Sequence, residues 1–297
     1  MKSRIALVLL CLSCTTNNPT TPSTPEPTTL TSSSSSTFSG PRALALIDEK
    51  LPEASGLAAS VVNPGSLWVI NDSGNPAEVY LIDTTAHVKL TCKLKVTNRD
   101  WEEVAVGPGP VNGKTYVYVG EIGDNNAIYD MKYIYRFEEP AADQPVKDIT
   151  IADTLRIKLS DGERDTETML IDPINKDFYI ISKREDNVGV YKVPQPFTKG
   201  IMTAQKVATI PFFQVVAGGF SPDGTEILLK DYDHVYYWKR SKDELLENAL
   251  MRKPEQLPYS HESQGEALAW RLDAKGYYTL SETNPGKPAY LMEYRRR

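Results

Sequence analysis

The chain has 297 residues, a formal net charge of −6 and three cysteines, Cys11, Cys14 and Cys92. An acidic balance argues against a nucleic-acid partner, which needs a basic face, and the closing Arg295-Arg296-Arg297 is too short a run to change that. Three cysteines, two of them beside the N-terminus, exclude an internal disulfide framework.

Met1-Lys2-Ser3-Arg4 is a short basic stretch, and the apolar run from Ile5 to Leu12 follows it. The pattern is that of a secretory signal, and the run is about half the ~20 residues that a membrane-spanning helix needs. Small Ser13 precedes Cys14, an arrangement that resembles the lipobox of bacterial lipoproteins. A signal over residues 1–13 and lipidation at Cys14 are therefore expected, with the membrane as a partner through that anchor. Ordinary secretion with cleavage nearby is the alternative. Thr15 stands where an aspartate would favour inner-membrane retention, so an outer-membrane address in the cell envelope is expected. Residues 14–40 are almost entirely Thr, Ser, Pro, Asn and Gly, with too little apolar surface to offset ordering entropy, and read as a linker.

Residues 41–297 read as one all-β domain, expected to be a monomer. A unit recurs along it: Glu53-Ala54-Ser55-Gly56-Leu57, a turn at Asn63-Pro64-Gly65, then Leu67 to Asp72 and Val79 to Ile82. Further copies begin at Glu103, Glu167, Gly219 and Glu266, each with a tyrosine at the second position of its third strand. Segments such as Leu155–Leu159 and Val207–Ile210 supply a fourth strand, and Ala43–Ile47 is placed to complete the last unit. Four antiparallel strands repeated radially describe a β-propeller. Five blades are expected, or six if 138–165 hides a degenerate one. Asp243–Leu250 reads as a short inserted helix, and Cys92 falls in the alternating segment Val88–Val96 as a core residue.

In such a ring each first strand lines the channel, and the second returns so that its end lies near the start of the first. Glu53 with Asp72, Glu103 with Glu121 and Glu266 with Glu282 are thereby expected at one mouth, with Glu167 facing Lys183 and Lys230 at the equivalent place in the fourth unit. Loops add Asp100, Glu102, Asp124, Asn125, Asp165, Arg184, Glu185, Asp231, Asp233, His261 and Glu262. Like charges ~5 Å apart repel by about 3 kcal/mol at an effective dielectric near 20, so such a mouth needs counter-charges, raised pKa values or a bound cation. Hard oxygen donors suit calcium. Asp72, Glu121, Asp124 and Glu282 are the metal-ligand candidates; Glu53, Glu103, Glu167, Lys183, Lys230 and Glu266 are the ligand-binding candidates. The plainer account of Glu53, Glu103, Glu167 and Glu266 is a clip that bonds backbone N–H groups of a neighbouring first strand.

No Gly-x-Ser-x-Gly elbow, phosphate-binding Gly-Lys-Ser/Thr loop, His-Glu-x-x-His helix or Cys-x-x-Cys pair occurs. The three histidines, His87, His234 and His261, are scattered. Trp68, Trp101, Trp238 and Trp270 read as packing between blades, with Trp101 the candidate among them for an exposed platform beside Glu102 and Glu103.

The strings Trp68-Val69-Ile70-Asn71-Asp72-Ser73-Gly74, Asp100-Trp101-Glu102-Glu103-Val104-Ala105 and Gly120-Glu121-Ile122-Gly123-Asp124-Asn125, with the opening Glu53–Leu57, resemble bacterial secreted propeller lipoproteins, similar to phytase-like and TolB-like propeller proteins. The phytase-like resemblance implies calcium-assisted phosphoester hydrolysis at acidic clusters in the channel mouth. The chain departs from it in lacking a basic cluster for phosphate beyond Lys183, Arg184 and Lys230. Two functions follow as expectations: a tethered binding module for a small-molecule or protein ligand, with calcium at its acidic mouth, or a calcium-dependent hydrolase of phosphoesters or related esters.

Overall fold

The computed structural model describes residues 36–284 and 287–297. Cys14 and the signal lie outside the described residues, as does the linker up to residue 35. Strand β1 (Arg42–Leu46) comes first, followed by β2 (Ala54–Ala59), β3 (Ser66–Asn71), β4 (Glu78–Asp83) and β5 (Val88–Leu94), which pair in that order as an antiparallel meander. The second meander has β6 (Trp101–Pro108), β7 (Thr115–Glu121) and β8 (Lys132–Glu138). After it, β9 (Val146–Ile149) returns to lie parallel to β5, and β10 (Asp153–Leu159) completes the second meander beside β8. The stretch 138–165 thus supplies outer strands to two units and holds no further one.

The third meander is β11 (Thr166–Ile171), β12 (Phe178–Ser182), β13 (Val188–Val193) and β14 (Ile201–Ile210). The fourth is β15 (Ala217–Phe220), β16 (Glu226–Lys230) and β17 (Val235–Lys239), then helix α1 (Leu246–Leu250) and β18 (Glu255–Leu257). The fifth, β19 (Ala267–Trp270), β20 (Gly276–Leu280) and β21 (Tyr290–Arg295), takes β1 as its outer strand, with Arg42 opposite Glu293 and Leu46 opposite Tyr290. Short α1 packs its buried Leu246, Ala249 and Leu250 between the third and fourth units.

The first strands β2, β6, β11, β15 and β19 neighbour one another in turn, and β19 returns to β2. Five apolar clusters fill the seams of this cycle. One seam sets Leu57, Val69 and Ile82 against Ala269, Leu280 and Leu291, and another sets Trp68, Val79 and Leu90 against Trp101, Val117 and Phe137. The remaining three continue the series around the ring. Each sheet is apolar on both faces because each face meets a neighbouring sheet, so the strands read as near-continuous hydrophobic runs. That closed radial order is a β-propeller.

Outer edges, which would otherwise invite pairing with another chain, are partly covered. Strands β10 and β14 pair in parallel and join the second and third units, and β9 covers β5. The repeated tyrosines do not share one environment: Tyr80 and Tyr191 are buried, and Tyr290 is exposed.

The domain begins before residue 41. Phe38 is fully buried, edge-on to Tyr237, Trp270 and Tyr277, with the Arg296 guanidinium over its ring. Within a run of small polar residues this one aromatic has enough apolar surface to anchor the chain. Cys92 is buried and free, and burial pushes its thiol up to about 12, which keeps it inert. Trp101 is likewise fully buried in the seam between the first two units, its indole N–H donating to Glu121, which is the packing role and not the exposed-platform alternative.

Candidate functional site

Four of the five strands that start at the mouth contain a count mismatch with their partners, and β15 pairs β16 in unbroken register. Trp101 pairs Glu121 and Glu103 pairs Gly120, which leaves Glu102 as an extra residue. Thr166 pairs Ser182 and Thr168 pairs Ile181, which leaves Glu167 extra. In β2 the same mismatch falls at Ser55 and Gly56, between the pairs Ala54–Asn71 and Leu57–Val69. In the last unit Gln264 accepts from the Glu282 amide and Ala267 pairs Leu280, so Gly265 and Glu266 stand against Ser281 alone. A β-bulge re-aims the side chain it carries. Here the bulges bring Glu102, Glu167 and Glu266 together, each contributing a carboxylate oxygen within 4.8 Å of the others.

Glu102 also belongs to a second triad with Asp72 and Asp100, under the same distance limit. It is only 3% exposed, and among the described residues the sole donor reaching its carboxylate is the Ser55 hydroxyl, at 3.5 Å. Gly123 makes room for it: a Cβ there would lie 2.2 Å from Glu102 Oε1 and 2.5 Å from Asp100 Cγ. The first strands themselves approach so closely that a Cβ on Gly56 would fall 2.4 Å from the Val104 nitrogen.

The electrostatics follow from burial and crowding. Desolvation, then repulsion from Glu167, Asp72 and Glu266, raises the Glu102 carboxyl well above its usual range. Burial takes Glu167 to about 7 against the pull of Lys183. Asp72 rises to about 6 by burial, with Glu266, Asp100 and Glu53 adding repulsion. Glu282 rises to about 7, by burial and then Glu266, Asp72 and Glu53. One cation already stands inside the cluster. Lys183 Nζ lies 2.7 Å from Glu167 Oε1 and 3.5 Å from Glu266 Oε1, with the Tyr232 ring 5.4 Å away. Even so, Glu167 Oε2 is buried with no hydrogen-bond partner among the described residues.

Of the sequence-stated candidates, the structure brings together Asp72, Glu167, Lys183 and Glu266, with Glu282 and exposed Glu53 beside them. Four others are committed elsewhere. Glu121 faces the Arg99 guanidinium at 3.0 Å and accepts from the Trp101 indole. Asp124 accepts from the Ile128 and Tyr129 amides at 2.8 Å and pairs with buried Lys132. Glu103 accepts from the Val104 amide, with the amides of Leu57 and Gly218 facing its carboxyl, which is the clip arrangement. Lys230 is fully buried, donating to the carbonyls of Asp231 and Gly265 with Tyr259 beneath it, and desolvation lowers it to about 8. His261 is exposed, 3.1 Å from Asp233.

Glu102, counted only as a loop neighbour in the sequence, links the two triads, and Asp100, counted likewise, belongs to the outer one. The available signal was the paired acids in Asp100-Trp101-Glu102-Glu103. Choosing between Glu102 and Glu103 requires the bulge, since a one-residue shift exchanges the two faces of a strand.

No family model matches the chain, and no curated protein matches it. Solved structures share part of the arrangement. The Dos1 propeller matches at 13% identity over 77% of this chain and 55% of that one, with a TM-score of 0.38. A chain of a mitotic checkpoint complex matches at 13% over 82% and 61%, TM-score 0.40. A chain of Kuenenia stuttgartiensis hydrazine synthase matches at 10% over 80% and 82%, TM-score 0.41. The chain therefore spans less than two thirds of the first two. The propeller assignment rests on strand order and the closed ring of first strands, not on these likenesses. Among the described residues no helix is long and apolar enough to cross a membrane.

Proposed function

We propose that this chain is an extracytoplasmic binding module, tethered to the outer membrane by lipid on Cys14, whose acidic mouth binds calcium through Asp72, Asp100 and Glu102. One observation carries the cation: Glu102 is nearly fully buried between two carboxylate triads, and the only described donor near it is a distant hydroxyl. A buried anion in that state needs a neutralising partner. The inner triad has Lys183; the outer one, Asp72 with Asp100 and Glu102, has no cation of its own at that distance. Its donors are all hard oxygens, the chemistry calcium takes.

The hydrolase reading asks Lys183 and Lys230 to neutralise charge on a substrate, and both ammonium groups are engaged inside the protein. Binding is the function that the geometry supports.

Calorimetric titration of the full-length protein with calcium is expected to give one site, with at least a hundredfold loss of affinity in Glu102→Gln. Equal calcium affinity in the variant would reject this site. Labelling with a fatty-acid precursor is expected to mark the wild-type chain and not Cys14→Ser; label retained by the variant would reject the tether.

A further inference from the structure

The roomiest cavity lined by the first strands lies at their far end, away from the acids. A funnel of about 490 Å³ is lined by all five, through residues such as Ala58, Val106, Met169, Phe220 and Trp270. Its size falls within the ~300–1,000 Å³ of small-molecule sites, which are mostly apolar with a few polar groups that fix orientation. The only charged residues lining it are Lys114 and Lys176. Lys114 shares its charge with Glu138 at 2.7 Å, and Lys176 has no ion pair among the described residues. Asp172, which follows β11 at this end, is neutralised by Arg240 through two contacts of 2.7 Å. An apolar wall whose described lining includes two lysines and no carboxylate is complementary to one class of molecule.

We propose that this funnel is a second binding site, for an amphipathic anion: a small molecule with an apolar body seated among the first strands and a carboxylate-like head at Lys176 and Lys114. The site is separate from the acidic mouth, so loss of one need not disturb the other.

Dodecanoate titrated into the full-length protein below its micelle concentration tests this, with dodecanol and dodecyltrimethylammonium as uncharged and cationic probes. One saturable site is expected for dodecanoate, at least tenfold tighter than for either control. Lys176→Glu with Lys114→Glu is expected to erase that tenfold preference and leave dodecanol binding unchanged. Gly219→Leu should block all three probes, because a Cβ there meets only Trp270 Cδ1, at 3.6 Å, and a longer side chain fills the funnel. If Gly219→Leu fails its thermal-melt check, Ala59→Phe narrows the same funnel from β2. Glu102→Gln should bind dodecanoate as the wild type does, which separates this test from that of the calcium site. Absence of saturable dodecanoate binding, equal affinity for the cationic probe, or binding that survives the filled funnel would each overturn the proposal.

Discussion

The two ends of the channel are made by the same five strands, yet their charges are managed in opposite ways. At the far end Asp172 meets Arg240 one to one, both fully desolvated, with a bidentate geometry that satisfies each. At the near end five acids, Asp72, Asp100, Glu102, Glu167 and Glu266, form two triads that share Glu102, and Lys183 pairs with only Glu167 and Glu266. A matched pair fastens two blades together; a surplus of one sign leaves charge to be offset. Backbone geometry decides which end is which, because the first-strand bulges of β2, β6 and β11 lie where those strands begin.

The largest expected effect comes from breaking the matched pair. Asp172→Ala leaves a buried guanidinium without its partner and should cost about 3–5 kcal/mol of stability in urea unfolding. Glu102→Gln, measured without calcium, should be neutral or stabilising, since it removes a charge that its neighbours repel. A similar loss in both variants would erase the distinction between the two ends.

The pH response comes next. Glu167 and Glu282 stand near 7 and Asp72 near 6 in the folded protein, above the ~4 of an unfolded chain. Between those limits the folded form holds protons that the unfolded form has released, so stability falls as pH rises. Their contribution is full below about pH 4 and is lost above about 7. Melting temperature in chelator should therefore decline across that window, and calcium should restore it at pH 8 but not at pH 4. A melt that rises steadily from pH 4 to 7 would contradict the surplus. The smallest effect on folding is expected from Gly123→Ala. Its new methyl group pushes on the carboxylates of Glu102 and Asp100, which can swing aside. Calcium affinity should drop about tenfold while the melt barely moves; unchanged affinity would place the ion elsewhere.

Much of this architecture is legible in the sequence because it rests on periodicity and turn chemistry. The repeated units, the ring-completing strand at Ala43–Ile47 and the meeting of Glu167 with Lys183 follow from antiparallel return alone, and the structure has β1 at Arg42–Leu46 and the ion pair at 2.7 Å. Three things were not legible. The bulge brings Glu102 and not Glu103 into the acid cluster, a shift of one residue that composition does not record. The burial of Phe38 depends on neighbours far away in sequence. The apolar funnel depends on which alternate residues of five separate strands face the axis, a property of closure.

The seam between β1 and β21 joins some of the first described residues to the last: the Arg297 amide donates to the Thr37 carbonyl, and Phe38 bridges Arg296. Of the described strands, synthesis makes β1 first and its partner β21 last. Until residue 290 has emerged, β1 has nothing to zip onto, so a nascent chain carries an open ring with a bare edge and completes it in one late step. The same adjacency makes the ends natural points to splice: a short peptide joining 297 to 37 would let new termini be cut into any outer turn.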